Sequence, residues 1–154
     1  MIAAIAELCA ADHGDLRLNI DVWIANKSPQ DVAGWLEARQ GHYLVAEDAG
    51  AVMAVGAFNG RGEVLLNYVA PEARFRGISK AMLSRMEAEL RASGVREARL
   101  TSTRTAHRFY RAAGWSDAGP VYQSMGMDAL PMKKRLTAAQ SDRAVPFPQS
   151  VDHA

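Results

Sequence analysis

A strand, a glycine-containing loop, a long amphipathic helix and a second strand follow one another over residues 64–102, and this order constrains the fold most strongly. Pro71 ends the first strand, Gly77 opens the helix and Gly94 ends it. Apolar residues recur along one helix face at Ile78, Met82, Met86 and Leu90. A helix that joins two strands in this way carries the chain to a parallel neighbour. The sequence therefore predicts a layered α/β fold.

Strands and helices are also predicted on both sides of this unit. A two-residue alternation of apolar side chains begins at His42 and predicts an antiparallel meander of strands at 43–47, 51–58 and 63–70. Helices are predicted before it, at residues 3–10 and 28–39, with more helix suggested between them. The chain thus predicts one mixed α/β sheet flanked by helices, antiparallel early and parallel at its centre.

The C-terminal third completes this sheet. A strand at 97–102 is followed by a short helix that Thr105 can cap and Gly114 ends, and then by a hairpin at 121–127 and 130–134. We assign residues 1–136 to a single domain. Residues 137–154 are polar and lack periodicity, so we predict a mobile tail.

Composition excludes several classes of protein. The 154 residues are 49% hydrophobic, which suits one folded domain, yet no apolar run reaches the roughly 18 residues of a membrane span. We see no leader segment and expect a cytoplasmic protein without membrane partners. Cys9 is the single cysteine, so neither an internal disulfide nor a cysteine-rich metal site is expected.

Charge is distributed unevenly along the chain, although the net charge is only +1. Residues 1–73 carry four basic and ten acidic side chains, whereas residues 74–111 carry ten basic and three acidic ones. This asymmetry predicts an anionic ligand near the middle segment and a cationic one near the first segment.

The loop before the long helix has the properties of a phosphate site. The first backbone N–H groups of a helix have no partner within it and lie at the positive end of its dipole. Gly77 and Ser79 are small enough to let a ligand approach, and Arg74, Arg76 and Lys80 add positive charge. The spacing matches neither a P-loop nor a dinucleotide-binding glycine motif. A diphosphate fits this loop.

Two motifs in this region resemble those of the GNAT superfamily of acyl-CoA N-acyltransferases. Arg74-x-x-Gly77-x-Ser79 is similar to the family's cofactor loop, Arg/Gln-x-x-Gly-x-Gly/Ala, with serine at the last position. About thirty residues later, the run AHRFYRAAGW at 106–115 resembles the family's short helix with Phe-Tyr, ending in glycine and an aromatic residue. The likeness covers residues 28–136, and the family's first strand has no counterpart before the first helix.

The resemblance implies a splayed sheet whose gap accepts acetyl-CoA as a cosubstrate, with no metal. The pyrophosphate is expected on the amides of 76–80 and the pantetheine on the backbone of 68–70. The implied cofactor-binding residues are Tyr68, Val69, Ala70, Arg74, Arg76, Gly77, Ile78, Ser79 and Lys80. Tyr110 matches the family's tyrosine that protonates the departing thiolate, although its helical spacing also fits a buried packing residue.

The sequence offers several candidates for the group that deprotonates the amine. A lysine-like amine has a pKa of about 10.4 and must lose a proton before it attacks. Where many family members carry a carboxylate, this chain has Leu65 and Leu66. Asn67 or Tyr68 could order a water that relays the proton, and Glu63 and Glu72 flank the strand; His42 and His107 are weaker candidates. A backbone N–H near Val69 is expected to stabilise the thioester oxyanion.

These inferences predict an N-acetyltransferase that moves an acetyl group from acetyl-CoA directly to a primary amine. The acceptor is a small molecule or a peptide, and a homodimer is compatible with the sequence. The acidic first segment, including Asp12, Asp15, Asp21 and Asp31, favours a cationic acceptor. The alternatives are a non-catalytic CoA-binding module and a nucleic-acid binder; the low net charge speaks against the latter.

Overall fold

The computed structural model describes residues 1–14, 16–39 and 41–136, so the predicted tail at 137–154 lies outside the described residues. The chain begins with four helices, α1 (Ile2–Leu8), α2 (Ala10–His13), α3 (Arg17–Ile24) and α4 (Pro29–Glu37). The predicted helix at 3–10 is thus divided at Cys9 into α1 and α2. Helix α4 starts as expected, because Ser28 and Asp31 form a reciprocal capping box.

The predicted meander forms the first sheet, in which β1 (His42–Asp48), β2 (Ala51–Phe58) and β3 (Val64–Val69) pair antiparallel in that order. The register places Gly56 opposite Asn67, and Ala57 opposite Leu66. Phe58 then pairs with Val64, so Leu65 is the extra residue of a bulge in β3.

The second sheet contains β4 (Glu97–Ser102), β7 (Met127–Arg135) and β5 (Ser116–Asp117) in that order, and β6 (Tyr122–Ser124) pairs with β7. The final hairpin has a shorter first arm and a longer second arm than the sequence predicted. The second arm is longer because β7 pairs with every residue of β4.

The two sheets meet where β3 and β4 begin, and they separate from there. In the described chain one parallel bridge joins them, between Glu63 and Arg99, and the Arg99 N–H donates to the Gly62 carbonyl at 2.8 Å. The expected parallel centre is therefore reduced to a single contact. The gap that follows it is the splay that the sequence motifs implied.

Helix α5 (Ile78–Ala92) covers the first sheet and supplies most of the core. Leu83, Met86 and Leu90 are fully buried, and each such side chain contributes roughly 1.5–3 kcal/mol of burial free energy. The helix lies so close to β2 that a Cβ on Gly56 would sit 2.8 Å from Met82 Sδ. Only glycine therefore fits at position 56 in this packing.

Helix α6 (Arg104–Ala112) follows β4 and is held at both ends. Thr103 caps its start, because its hydroxyl accepts from the Ala106 N–H at 3.2 Å. Beyond its end, the Trp115 indole N–H donates to the buried carboxylate of Glu87 at 2.8 Å. Lys134 donates to the same carboxylate at 2.6 Å. These contacts join α5, α6 and β7, and they orient α6 toward the gap.

Candidate active site

A cleft of about 500 Å³ opens where the two sheets part, and we call it the main cleft. It is bordered by α1, the end of β3, the loop after it, the start of α5, and α6. Nine of the eleven site residues predicted from the sequence line it: Asn67, Tyr68, Val69, Arg74, Gly77, Ile78, Ser79, Lys80 and Tyr110.

Ala70 and Arg76 are the two predicted site residues outside this lining. The Ala70 N–H donates to the Met53 carbonyl at 2.8 Å, so it continues the pairing of β3 with β2. The Arg76 guanidinium forms an exposed ion pair with Asp48 at 2.9 Å. The backbone of Arg76 still precedes Gly77 in the loop, but its side chain is directed to β1.

The start of α5 forms the anion-binding end of the main cleft. Gly77 precedes the helix with φ of 77°, a left-handed conformation that favours glycine, and a Cβ there would meet open space. No side chain of the described residues caps this end, and the first turn contains no acidic residue. The unpaired N–H groups and the positive charge of Lys80 therefore meet at a surface that an anion can reach.

The edge of β3 supplies backbone groups to the gap. Antiparallel pairing alternates, so that successive residues direct their N–H and C=O toward opposite sides of the strand. Ala70 is bonded to β2, and by this alternation Tyr68 also points to β2. The backbone groups of Asn67 and Val69 consequently point into the gap. Residues 68–70 were predicted to pair with pantetheine, and among them Val69 has its backbone N–H and C=O directed into the gap.

Tyr110 and Asn67 lie at the inner end of the main cleft. Tyr110 is 8% exposed and packs edge-on against Phe109 and Trp115. Burial raises the pKa of its hydroxyl, while a hydrogen bond from Asn67 acts in the opposite direction. The net rise keeps the phenol protonated at neutral pH. The Asn67 Oδ1 is buried and has no hydrogen-bond partner among the described residues.

Tyr68 and Cys9 line the same cleft from the other face of β3. The Trp23 indole N–H donates to the Tyr68 hydroxyl at 3.2 Å, which ties β3 to α3. Burial raises the pKa of Tyr68 to about 12 and also raises the pKa of Cys9 to about 12. Both groups are therefore protonated at neutral pH. Cys9 was not among the site residues predicted from the sequence, since a lone cysteine carries no motif.

The other candidates for the base lie outside the main cleft. Glu63 accepts hydrogen bonds from Asn59 and Arg61, and the Asn59 hydrogen bond is the main cause of its lowered pKa. Glu72 is exposed. His42 stacks on Phe58 and His107 bonds to Asp117 at 2.6 Å. In the described chain, none of these four side chains lines the main cleft.

Two further cavities lie near the main cleft. A small one of about 130 Å³, which we call the neck, lies between β3 and β4 and shares Asn67, Tyr68 and Tyr110 with the main cleft. A larger one of about 610 Å³, which we call the side cavity, shares Leu65 and Leu66 with the neck. Leu65 and Leu66, which stand where many family members carry a carboxylate, thus border both cavities.

Three of the four acidic residues that were expected to attract a cationic acceptor have partners within the protein. Asp21 pairs with Arg17 at 3.0 Å, Asp31 caps α4, and Asp12 accepts from the Thr105 N–H at 3.2 Å. Asp15 lies outside the described residues. The three described carboxylates do not line the side cavity.

Within the described ranges, no group of three or more His, Cys, Asp or Glu side chains is arranged to hold a metal ion. The described helices also include none that is long and apolar enough to cross a bilayer.

The split sheet, with a helix N-terminus and a buried tyrosine at its opening, is the architecture of the GNAT acetyltransferases. The model of the acetyltransferase (GNAT) domain matches residues 9–136, and the chain belongs to this family. Residues 9–136 therefore form a GNAT acetyltransferase domain, as the two sequence motifs indicated.

The chain is similar to known members of this family in sequence and in structure. An IAA acetyltransferase of Azospirillum brasilense is 38% identical over 96 residues, which cover 57% of this chain and 62% of that protein. The chain thus spans less than two thirds of that relative's length.

Two solved structures share the fold. A GCN5-related N-acetyltransferase from Rhodopseudomonas palustris superposes with a TM-score of 0.77 at 19% identity, covering 88% of this chain and 84% of that one. The PaiA N-acetyltransferase of Thermoplasma acidophilum, solved in complex with coenzyme A, gives a TM-score of 0.66 at 20% identity over 87% and 89% of the two chains.

Proposed function

We propose that the protein transfers an acetyl group from acetyl-CoA directly to a primary amine of a small molecule or peptide. The observation that carries this proposal is the position of Tyr110 and Asn67. They border both the main cleft, with its anion-binding helix end, and the neck, which adjoins the side cavity at Leu65 and Leu66. A thioester held between them can be approached by an amine from the other side.

The main cleft suits the donor along its whole length. The diphosphate binds the N–H groups at the start of α5, with Arg74 and Lys80 adding positive charge. The amide groups of pantetheine pair with the backbone of Val69 at the open edge of β3. This route brings the thioester to the buried end, next to Tyr110. The coenzyme A complex of the Thermoplasma relative supports the choice of donor.

The reaction forms one C–N bond and breaks one C–S bond. The neutral amine attacks the thioester carbonyl carbon, and the backbone N–H of Val69 or Asn67 faces the oxygen that becomes negative. As the tetrahedral intermediate collapses, the sulfur leaves with the electron pair and takes a proton from the Tyr110 hydroxyl. The nitrogen then loses its extra proton, which restores the phenol through solvent. The products are the N-acetyl amine and CoA thiol.

Asn67 is the second catalytic residue in this proposal. Its buried Oδ1 is without a protein partner in the described chain, and such an atom is costly unless a ligand supplies a donor. An N–H of the attacking amine can supply it, directly or through a water. This contact directs the nitrogen lone pair at the thioester and replaces the carboxylate that many relatives place two or one residues earlier.

Measurement of CoA thiol release with acetyl-CoA and a panel of primary amines tests the proposal. We expect amine-dependent release and an N-acetylated product detected by mass spectrometry. Calorimetric binding of CoA without turnover of any amine would instead identify a CoA-binding module. Absence of CoA binding by the folded protein would contradict both readings.

A further inference from the structure

The side cavity has an apolar lining on one side and a buried cation on the other. Tyr43, Ala57 and Leu66 lie opposite one another in the register of the first sheet, so they share one face and form the floor. Trp35 of α4 contributes a wall. Two aromatic rings at a concave apolar surface suit a flat apolar group.

Lys27 provides the cation of this cavity. It is 9% exposed, and its ammonium donates to the Trp23 carbonyl at 2.7 Å and to Asn26 Oδ1 at 2.9 Å. A lysine ammonium has three N–H donors, so these two acceptors leave one donor for a ligand. Both of its partners are neutral, and a buried charge without a counter-ion is unfavourable. A carboxylate in the cavity would supply that counter-ion.

The remaining charges of the cavity neutralise each other. Arg61 and Glu63 stand at the rim and form an ion pair at 3.3 Å. The charge of Lys27 is therefore not balanced within the lining, and the lining side chains have a net charge of +1. This sign is opposite to the one that the summed charge of residues 1–73 suggested.

We propose that the side cavity is the acceptor site and that it selects amines bearing a carboxylate and a flat apolar group, such as aromatic amino acids. The carboxylate pairs with Lys27, the ring lies between Trp35 and the sheet floor, and the amine passes Leu65 and Leu66 toward Asn67. The proposal rests on the proposed function, because it assigns the substrate class of the same reaction.

The test compares kcat/KM for phenylalanine, phenylalanine amide, phenethylamine and spermidine in the native protein and in Lys27→Met. We expect kcat/KM for phenylalanine to exceed kcat/KM for its amide by at least about tenfold, because a buried charge pair contributes at least that much. In Lys27→Met this ratio falls below about threefold, while CoA affinity is unchanged. Arg17→Met, an exposed change on α3, is the matched control and keeps the native ratio.

A second variant protects the test against misfolding of Lys27→Met. In Trp35→Leu, we expect the preference for phenylalanine over alanine to fall while the preference for the free carboxylate over the amide persists. Highest activity with spermidine, or native ratios in both variants, would overturn the proposal. If no amine is acetylated at all, it is the proposed function that fails.

A different observation concerns Phe75, in the loop before α5. Its side chain is 94% exposed, borders the main cleft, and lies beneath the Arg74 guanidinium at 4.7 Å from the ring centroid. Its φ of 59° is left-handed, which is unfavourable for a bulky residue. An aromatic ring kept in water by a strained backbone gains nothing from core packing, and strain of this kind is typical of binding sites.

We infer that Phe75 is a stacking platform for the adenine ring of the donor. The ring adjoins the loop that binds the diphosphate in the proposed function, and the adenosine extends from that diphosphate toward solvent. Bases stack on aromatic side chains without needing a specific hydrogen-bond pattern, and an adjacent arginine adds to the contact. Phe75 thereby distinguishes full CoA from donors that lack the nucleotide.

Calorimetry with CoA and with 4′-phosphopantetheine, which lacks the 3′-phosphoadenosine and one phosphate of the diphosphate, tests this inference. We expect Phe75→Gly to weaken CoA binding roughly tenfold and to leave phosphopantetheine binding unchanged. The same variant should melt at a higher temperature, since glycine adopts this φ without strain. Phe75→Trp is the conservative control and retains CoA affinity. Equal losses for both ligands, or an unchanged CoA affinity, would overturn the inference.

Discussion

The main cleft and the side cavity are built in different ways from the same chain. Eight of the predicted residues that line the main cleft come from one continuous stretch between Asn67 and Lys80, and Tyr110 adds the ninth. The side cavity combines the β2–β3 hairpin between Ala57 and Leu66 with residues that are distant in sequence, from the loop before α4, from α4 itself and from β1. A site formed by one strand, loop and helix leaves a motif in the sequence. A site assembled by tertiary packing does not.

Charge illustrates the same difference. The basic middle segment does bring Arg74 and Lys80 to the main cleft, as its composition suggested. In the acidic first segment, Asp31 caps α4 and Asp21 forms a surface ion pair, while Glu63 lines the side cavity together with the basic residues Lys27 and Arg61. The summed charge of a segment therefore describes a site only where the segment itself forms that site.

The largest effect is expected at the start of α5, in the main cleft and away from the side cavity. Gly77→Glu should weaken CoA binding by at least about 100-fold, equivalent to about 2.7 kcal/mol, because a carboxylate would occupy the diphosphate position. Calorimetry measures this loss. Gly77→Ala is the control, since it brings the same unfavourable φ without the charge. Similar losses in both variants would attribute the effect to backbone strain.

The next largest effect is expected at Tyr110, which lies between the main cleft and the neck. Tyr110→Phe should lower kcat by about 10- to 100-fold and change CoA affinity less than threefold, because the hydroxyl acts only as the thiolate leaves. Stopped-flow or steady-state thiol release gives kcat. A variant that melts early but retains full turnover would make Tyr110 a packing residue.

A smaller effect is expected for Asn67→Ala. Turnover should fall several-fold, while the melting temperature stays within about two degrees of the native value, because removal of the unpartnered Oδ1 offsets the loss of the side chain's hydrogen bond to Tyr110. Thermal unfolding and kinetics on the same preparation test both parts. A large drop in stability would show that the amide has a structural role instead.

The smallest effect concerns alkaline stability. Cys9 and Tyr68 have pKa values of about 12 in the fold, whereas in the unfolded chain they titrate near their ordinary values of about 8.5 and 10. Their contribution to stability is complete below those ordinary values and is lost as the pH rises toward 12. Melting temperatures should decline across that window. The decline should be shallower in Tyr68→Phe, and an identical slope would contradict the assignment.

The fold was largely accessible from the sequence because its elements carry strong local patterns. Helix α5, with four-residue apolar spacing and a glycine at each end, was predicted almost to the residue, and so was β4. The division at Cys9 and the lengths of the final hairpin were not predicted. Both depend on packing against distant partners, and β7 is long because it pairs with all of β4.

The candidate site followed the same rule. The loop residues and Tyr110 were predicted because each belongs to a motif. The role of Arg76 stays a prediction, and its ion pair with Asp48 joins residues 28 positions apart that no local pattern connects. Lys27, Trp35 and Tyr43 were missed as a group, since they share a cavity but no spacing.

The open edge of β3 links the protein's stability to its donor. In the proposed function, the pantetheine amides and the thioester oxygen together satisfy the backbone groups of Asn67 and Val69, so the cosubstrate completes the edge of a sheet that the chain leaves unpaired. A ligand that binds only the folded state at 100 times its dissociation constant adds about 2.7 kcal/mol to the free energy of unfolding. The lifetime of the folded enzyme would then follow the cell's supply of acyl-CoA.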